Sequence, residues 1–367
     1  MASTNTANYK LGHIERTAAE PRDKSLFTVV LRRIDQVNDQ VRLFRLEIPL
    51  DGPQLRSLTL VFCFVSSSPG QWLDVYCPGV PKAGGFTITS APLKARPSAS
   101  GATAQTKNGV PEVKGDGGET PAAVAAAEPG YLELAVQRSP ANPPAAWLWQ
   151  EEKDTVGAAD TAKESIIGRE LQVRVGGSFV WPPPGVNVRT LRRVVFVAGG
   201  VGINPLIAMV SSLIPPLPFE VKFLYSVKDP LNSASTLGSA ESGASGEESK
   251  GKRDASKILF LDRLAQTFGS GEDGKVKGEL KLFLTGGGGQ GDEKGAINVG
   301  DMSKVSFVRR RMDISDVEEA VGGSAERRFA VVYVCGVPDM TDMFVEKLRR
   351  KDGLGMEPHR VLCEKWW

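Results

Sequence analysis

The chain has 367 residues, among them 40 glycines, about 11% against a usual share near 7%, and 24 prolines. Apolar residues make up 41%, enough for real cores, which excludes wholesale disorder, and the absence of a Gly-X-Y period excludes collagen. Forty-five basic against 43 acidic residues leave a net charge of +2 with no long basic run, so no nucleic-acid partner is expected.

In chain order, residues 1–25 read as a flexible arm. Its charges are mixed, Lys10, Arg16 and Arg22 against Glu15, Glu20 and Asp23. That is unlike a mitochondrial presequence and favours the cytosol. From residue 26 the apolar pattern has period two. LFTVVLRRI (26–34), VRLFRLEI (41–48), QWLDVYC (71–77), GGFTITS (84–90), YLELAVQR (131–138) and ELQVRVGG (170–177) predict six short strands, the signature of a small antiparallel barrel. WLWQEEKDT (147–155) predicts a helix among them. The proline-rich stretch WPPPGVNVR (181–189) marks a boundary, so the barrel is expected over 26–185 and a second domain over 186–367.

Beyond the boundary strands and helices alternate. Strands are predicted over 192–200, 219–226, 279–285, 329–336 and 360–363, and helices over 203–214, 258–269, 315–321 and 338–353. This alternation predicts a parallel sheet with helices on both faces. Ser315 and Glu318 have capping-box spacing. Residues 194–214 are apolar over the length of a membrane span, but Gly199-Gly200-Val201-Gly202 and Asn204-Pro205 interrupt them. A buried strand, a turn and a buried helix fit better, and no membrane span is expected. Residues 94–130, 232–257 and 269–300 hold 21 of the glycines and few aromatics, and predict inserted, mostly mobile loops. Arg309-Arg310-Arg311 reads as solvated loop or helix lead-in.

Four segments carry chemistry. In VVFVAGGVGINP (194–205), Gly200, Gly202 and Pro205 stand between a strand and a helix. Glycine admits close backbone approach and a helix start offers N–H groups and a positive dipole end, which suits a pyrophosphate. VVYVCGVPDM (331–340) places Cys335 and Gly336 at the carboxyl end of a strand, where ligands bind in open parallel sheets; a small buried hydrophobe is the alternative for Cys335. In FTIT, Thr87 and Thr89 share one face and Phe86 and Ile88 the other. CEKWW (363–367) ends in Trp366 and Trp367, suited to packing on a core edge or a ring ligand. Cys63, Cys77, Cys335 and Cys363 include no Cys-x-x-Cys pair, and His13 and His359 are the two histidines, so no metal site is expected.

Taken together, HIERTA (13–18), GQW (70–72), PGV (79–81), GGF (84–86), NPPAAW (142–147), RVGG (174–177), AGGVGINP (198–205), CGVPDMTD (335–342) and CEKWW resemble the oxidoreductase NAD-binding domain-containing protein family, within the ferredoxin–NADP⁺ reductase-like superfamily. The resemblance implies a flavin-binding Greek-key β-barrel followed by an α/β Rossmann-like nucleotide-binding domain. It implies flavin contacts at Phe86, Thr87, Ile88 and Thr89, with the Thr87 hydroxyl near flavin N5. Where the superfamily places an arginine and a second hydroxyl for the FAD pyrophosphate, this chain has Gly84 and Ala145, leaving FAD, FMN and no flavin open.

On the nucleotide side the resemblance implies contacts at Gly199, Gly200, Val201, Gly202, Ile203, Asn204 and Pro205. Ser226 and Lys228 are expected near the ribose 2′ position, where they would suit a phosphate, a solvated surface being the alternative for Lys228, with NADH and NADPH both open; Cys335, Gly336 and Met340 are expected beside the nicotinamide, and Trp366 or Trp367 over a ring. The implied activity is an NAD(P)H-dependent flavin oxidoreductase, with hydride passing from nicotinamide C4 to flavin N5 and electrons leaving to an unknown acceptor. Thr87 and Cys335 would act at the reacting atoms. The alternative is a nucleotide-binding module of the same fold without redox turnover. A monomer is expected, and the resemblance points to mitochondria.

Overall fold

A computed structural model describes residues 12–49, 67–97, 129–150, 165–233, 253–269, 276–286, 293–300 and 303–365. The six strands expected for the first domain form one antiparallel sheet: β1 (Phe27–Asn38), β2 (Val41–Glu47), β3 (Trp72–Tyr76), β4 (Gly84–Thr87), β5 (Tyr131–Gln137) and β6 (Glu170–Gly176). Their order is β4-β3-β6-β1-β2-β5, and a bridge between Ile88 and Leu134 brings the two edges together into a barrel. Alternate residues face inward: Val29 and Leu31, Phe44 and Leu46, Leu73 and Val75, Leu171 and Val173 fill one apolar core. Each such side chain contributes about 1.5–3 kcal/mol of burial.

The second domain is a seven-stranded sheet of β7 (Arg193–Gly199), β8 (Glu220–Lys228), β9 (Gly278–Thr285), β10 (Glu293–Val299), β11 (Ser303–Arg309), β12 (Ala330–Gly336) and β13 (Val361–Lys365). The order is β10-β11-β9-β8-β7-β12-β13; β10 and β11 pair antiparallel and the other neighbours parallel. The unbroken apolar run of β7 has a two-sided cause. Val194, Phe196 and Ala198 face one cluster, with Leu206 and Ile207 of one helix and Leu264 of another. Val195 and Val197 face the opposite cluster, with Val317, Phe344 and Leu348. The barrel contributes Val41, Ala135, Phe179 and Trp181 to the first cluster, so the domains share apolar packing. Polar links join them too. Tyr333 donates to the Val180 carbonyl at 2.9 Å, and Asn38 Nδ2 donates to the Lys257 carbonyl at 3.0 Å. Among the described residues, no helix is long and apolar enough to cross a membrane.

Several local expectations are corrected. Residues 12–23 are not a loose arm: the short helix α1 (His13–Arg16) packs on the barrel. His13 Nε2 lies 3.0 Å and Arg22 Nε 3.1 Å from the fully buried Asp74, which also receives Arg174 at 2.7 Å. The His13 ring fills the space beside Gly85, 2.0 Å from where a β-carbon would stand. The helix expected over 147–155 is instead α2 (Pro143–Leu148), started by Asn142 and two prolines; residues 151–155 lie outside the described residues. The glycine-rich stretch 269–300 holds, besides the expected strand β9, the unexpected β10, which with β11 forms a hairpin extending the sheet.

In the helix expected over 315–321, the capping box is Asp313 with Asp316, two residues earlier than Ser315 with Glu318. Nor are Arg309 and Arg310 simply solvated. Arg309 lies 3.3 Å from Glu293, and Arg310 forks onto Asp316 at 2.6 and 2.7 Å.

Candidate functional site

A cleft of about 1460 Å³ runs between the barrel and the parallel sheet. One wall is built by the end of β7. The chain leaves Gly199, makes a single 3₁₀ turn over Gly200–Gly202, and enters α3 (Ile203–Ser211). Gly200 takes φ +55. A β-carbon on Gly202 would lie 2.3 Å from the Cys335 carbonyl oxygen, so only glycine lets this turn pack against β12. No side chain caps α3, and its positive end faces the cleft, where an anion is stabilised.

The opposite wall comes from β4 and α2: Gly85, Phe86, Thr87, Asn142 and Ala145 line it. Thr87 is 1% exposed and its Oγ1 has no hydrogen-bond partner among the described residues. Two further cleft residues carry such orphans. Asn204 donates Nδ2 to the Ala135 carbonyl at 2.9 Å while its Oδ1 is unpaired, and the hydroxyl of fully buried Tyr225 is unpaired. A buried polar atom without a partner costs about 1–3 kcal/mol, so three at one cleft mark a surface shaped for a polar ligand.

The two walls differ in what they offer a phosphate. In α2, Pro143 and Pro144 have no N–H, and the Ala145 N–H donates to the Asn142 side chain at 3.4 Å. The side-chain space at Gly84 is filled by the Phe86 ring and Pro144, 2.6 and 2.7 Å from a β-carbon position. This wall therefore fits a flat ring beside Thr87 and supplies few phosphate donors there; Arg138 is its cation on the cleft.

Phe86, Thr87, Gly199, Gly200, Val201 and Gly202 all reach the cleft, as do Asn204 and Gly336. Other expected contacts do not. Ile88 belongs to the barrel core, as does the Phe86 ring on the same strand face, but of the two Phe86 alone lines the cleft. Thr89 donates its hydroxyl to Glu133 at 2.7 Å. Ile203 and Pro205 are buried in the first turn of α3. Cys335 is fully buried in the apolar cluster, so its carbonyl and the following Gly336, not its thiol, face the glycine turn. Ser226 pairs in register with Gly199 and lies off the cleft wall, where Tyr225, Val227 and Lys228 stand instead. Met340 backs the loop, its sulfur and methyl against Gly199. Trp366 and Trp367 lie outside the described residues.

Two features were not anticipated, and a third residue, Glu364 of the terminal CEKWW motif, has an unexpected environment. Tyr225 reads as an ordinary apolar-strand residue. Glu133 and Arg263 form a fork at 2.6 and 2.7 Å that ties β5 to α4 (Leu261–Phe268) across the domains, and Glu133 is also the acceptor for Thr89. Glu364, in register with Cys335 on β13, has an unpaired Oε2. Burial, then the charge of Glu20, pushes its carboxyl up to about 8. Among the described residues, no group of histidine, cysteine and acidic side chains is arranged to hold a metal ion.

An antiparallel barrel joined to a parallel sheet, with a glycine turn at the cleft between them, is the ferredoxin–NADP⁺ reductase-like fold. Two solved structures share it. The CS-b5R domains of human Ncb5or in the NAD⁺ form match with a TM-score of 0.51 at 14% identity, covering 92% of this chain and 69% of that one. A ferredoxin NADP⁺ reductase from Neisseria gonorrhoeae with bound FAD and NADP matches at 0.50 and 12%, covering 94% and 100%. No family model matches the chain. In sequence it is 28% identical over 373 residues to the Danio rerio protein named oxidoreductase NAD-binding domain-containing protein 1, covering 99% of this chain and all of that one. The resemblance read from the motifs thus extends along nearly the whole chain.

Proposed function

We propose that this chain is an NAD(P)H-dependent flavin oxidoreductase. The observation that carries the reading is the pairing, in one cleft, of an uncapped glycine turn with the orphaned hydroxyl of Thr87. The turn over Gly199–Gly202 and the start of α3 hold the dinucleotide pyrophosphate. Gly202, pressed on the Cys335 carbonyl, keeps the turn flush with β12, so the nicotinamide end is directed toward Gly336 and the barrel wall. A flavin held there would supply N5 as the acceptor for a hydride from nicotinamide C4. Thr87 provides the hydrogen bond to that ring, and the facing walls exclude water and fix the approach of the two rings. The reading is supported by the fold shared with reductases and by the name of the zebrafish relative.

Purified protein mixed with NADH or NADPH and added flavin should consume the nicotinamide, followed at its absorbance. No turnover with FAD, FMN or riboflavin would end the proposal. The second reading, a nucleotide-binding module without turnover, is favoured by the scarcity of phosphate donors around α2. An artificial electron acceptor separates the two, since a pure binder leaves NAD(P)H intact.

A further inference from the structure

We infer that the dinucleotide this cleft selects is the 2′-phosphorylated one, NADPH, and that Lys228 and Lys257 recognise the extra phosphate. This rests on the reading of the cleft as a nicotinamide-dinucleotide site. When the pyrophosphate sits at the first strand–helix turn of a parallel sheet, the adenosine ribose lies beyond the carboxyl end of the neighbouring strand. Here that strand is β8, whose Ser226 pairs with Gly199; the next residues onward are Val227, Lys228 and Asp229. A site for an unmodified ribose needs a carboxylate there to accept from the 2′-hydroxyl, whereas a 2′-phosphate needs cations.

The carboxylate is present but engaged. Asp229 is fully buried. Its Oδ1 accepts from the Leu231 N–H at 3.1 Å and Arg253 Nε at 3.2 Å, and its Oδ2 accepts from Arg253 Nη2 at 3.0 Å. Arg309 Nε stands 3.6 Å from the same oxygen. Turning Asp229 toward a ribose would break this fork and leave the part-buried Arg253 and Arg309 with Glu293 alone, at 3.5 and 3.3 Å, a costly exchange.

The cations are presented to the cleft. Lys228 and Lys257 are both exposed and line it, and neither forms an ion pair with a described residue. The backbone of Lys257 is fixed by the bond from Asn38 at the β1–β2 turn. Arg138 stands beside that turn, its N–H donating to the Gln40 carbonyl at 2.8 Å. Three acids line the cleft as well, Asp39, Asp254 and Asp339. Asp254 has its Oδ1 occupied by the Ser256 N–H and hydroxyl, at 3.0 and 2.7 Å. Asp39 is exposed at the tip of the turn. Three cations and three acids thus line the cleft, and none of these three acids stands directly after β8, where Asp229 does.

The test is calorimetric binding of 2′,5′-ADP and of 5′-AMP to the full chain. The expected result is at least tenfold tighter binding of 2′,5′-ADP. Lys228→Glu and Lys257→Glu should each weaken 2′,5′-ADP about tenfold, the size of a hydrogen bond to a charged group, and leave 5′-AMP within about twofold. Lys228→Gln, which adds no repulsion, should show a smaller loss in the same direction. Equal affinity for the two adenylates, or substitutions without effect on their ratio, overturns the inference while leaving the dinucleotide site standing. Binding of neither adenylate overturns the reading of the cleft itself.

Discussion

On the sheet side of the cleft, a glycine turn and an uncapped helix present backbone N–H groups. On the barrel side, β4 and α2 present an orphaned hydroxyl and a helix whose first turn is prolines and a capped N–H. One wall is built for phosphate and the other for a ring. On the proposed reading the difference teaches where affinity would reside: the nucleotide gripped through its charged centre, the barrel's ligand through a flat, mostly neutral face.

The largest effect should come from breaking the first wall. Gly202→Ala forces a methyl group to within 2.3 Å of the Cys335 carbonyl. The turn must move, and dinucleotide affinity should fall about 100-fold, with about 1–3 kcal/mol lost from stability as in other overpacked sites. Calorimetric titration with NADPH beside a denaturant melt checks both. Wild-type affinity in the variant would mean that the turn does not carry the pyrophosphate.

A second break targets the link between the walls. Arg263→Ala removes the guanidinium that forks onto Glu133 and leaves a carboxylate that is 13% exposed. A loss of about 1–2 kcal/mol is expected, discounted because Arg263 is itself a third exposed. Urea unfolding gives the stability. Because Glu133 also holds Thr89 of the β4 segment, flavin affinity should weaken as well, and Arg263→Lys should recover part of both.

Each domain also has a buried aspartate hub, Asp74 in the barrel and Asp316 beside β9. Burial alone would raise the Asp316 carboxyl; the Arg310 fork, the Asp313 N–H and Lys281 outweigh it and bring it down to about 2. At Asp74 burial likewise opposes, and His13, Arg174 and Arg22 prevail, so its carboxyl is also lowered. A depressed carboxylate adds stability above its unfolded value, about pH 4, and that stability fades as pH falls through the folded value. Asp316→Asn should therefore cost about 1–2 kcal/mol at pH 7 and almost nothing near pH 2. A pH series of thermal melts measures it, and a cost that does not shrink in acid would contradict the assignment.

The barrel strands and the strand–turn–helix at 194–205 were legible because period-two alternation and glycine placement are local signals. The β10–β11 hairpin was not: Lys294, Gly295 and Asn298 dilute a pattern whose inward residues are Ile297, Val305 and Phe307. Cys335 looked like a site residue because it stands at a strand end, yet alternation sends its thiol into the core. Tyr225 has the opposite history, since nothing local distinguishes a strand tyrosine that lines a cleft with its hydroxyl unpaired from one that is merely core. The Glu133–Arg263 fork joins residues 130 positions apart, beyond any local pattern.

The smallest expected effect is a ratio close to one, and it tests the second wall most directly. A hydrogen bond to a charged group is worth about 1.5–3 kcal/mol, so a barrel that gripped a pyrophosphate would bind FAD at least about tenfold tighter than riboflavin. The space at Gly84 is filled by Phe86 and Pro144, and the first turn of α2 has no free N–H among its described partners. Riboflavin, FMN and FAD should therefore bind within about threefold of one another, measured by quenching of flavin fluorescence. Thr87→Ala should weaken all three alike, about fivefold, because its hydroxyl meets the ring they share. Stability should change by less than about 1 kcal/mol, since relief of the orphaned hydroxyl is offset by the loss of the buried methyl group. A tenfold preference for FAD would put phosphate recognition on the barrel wall and erase the contrast between the two sides.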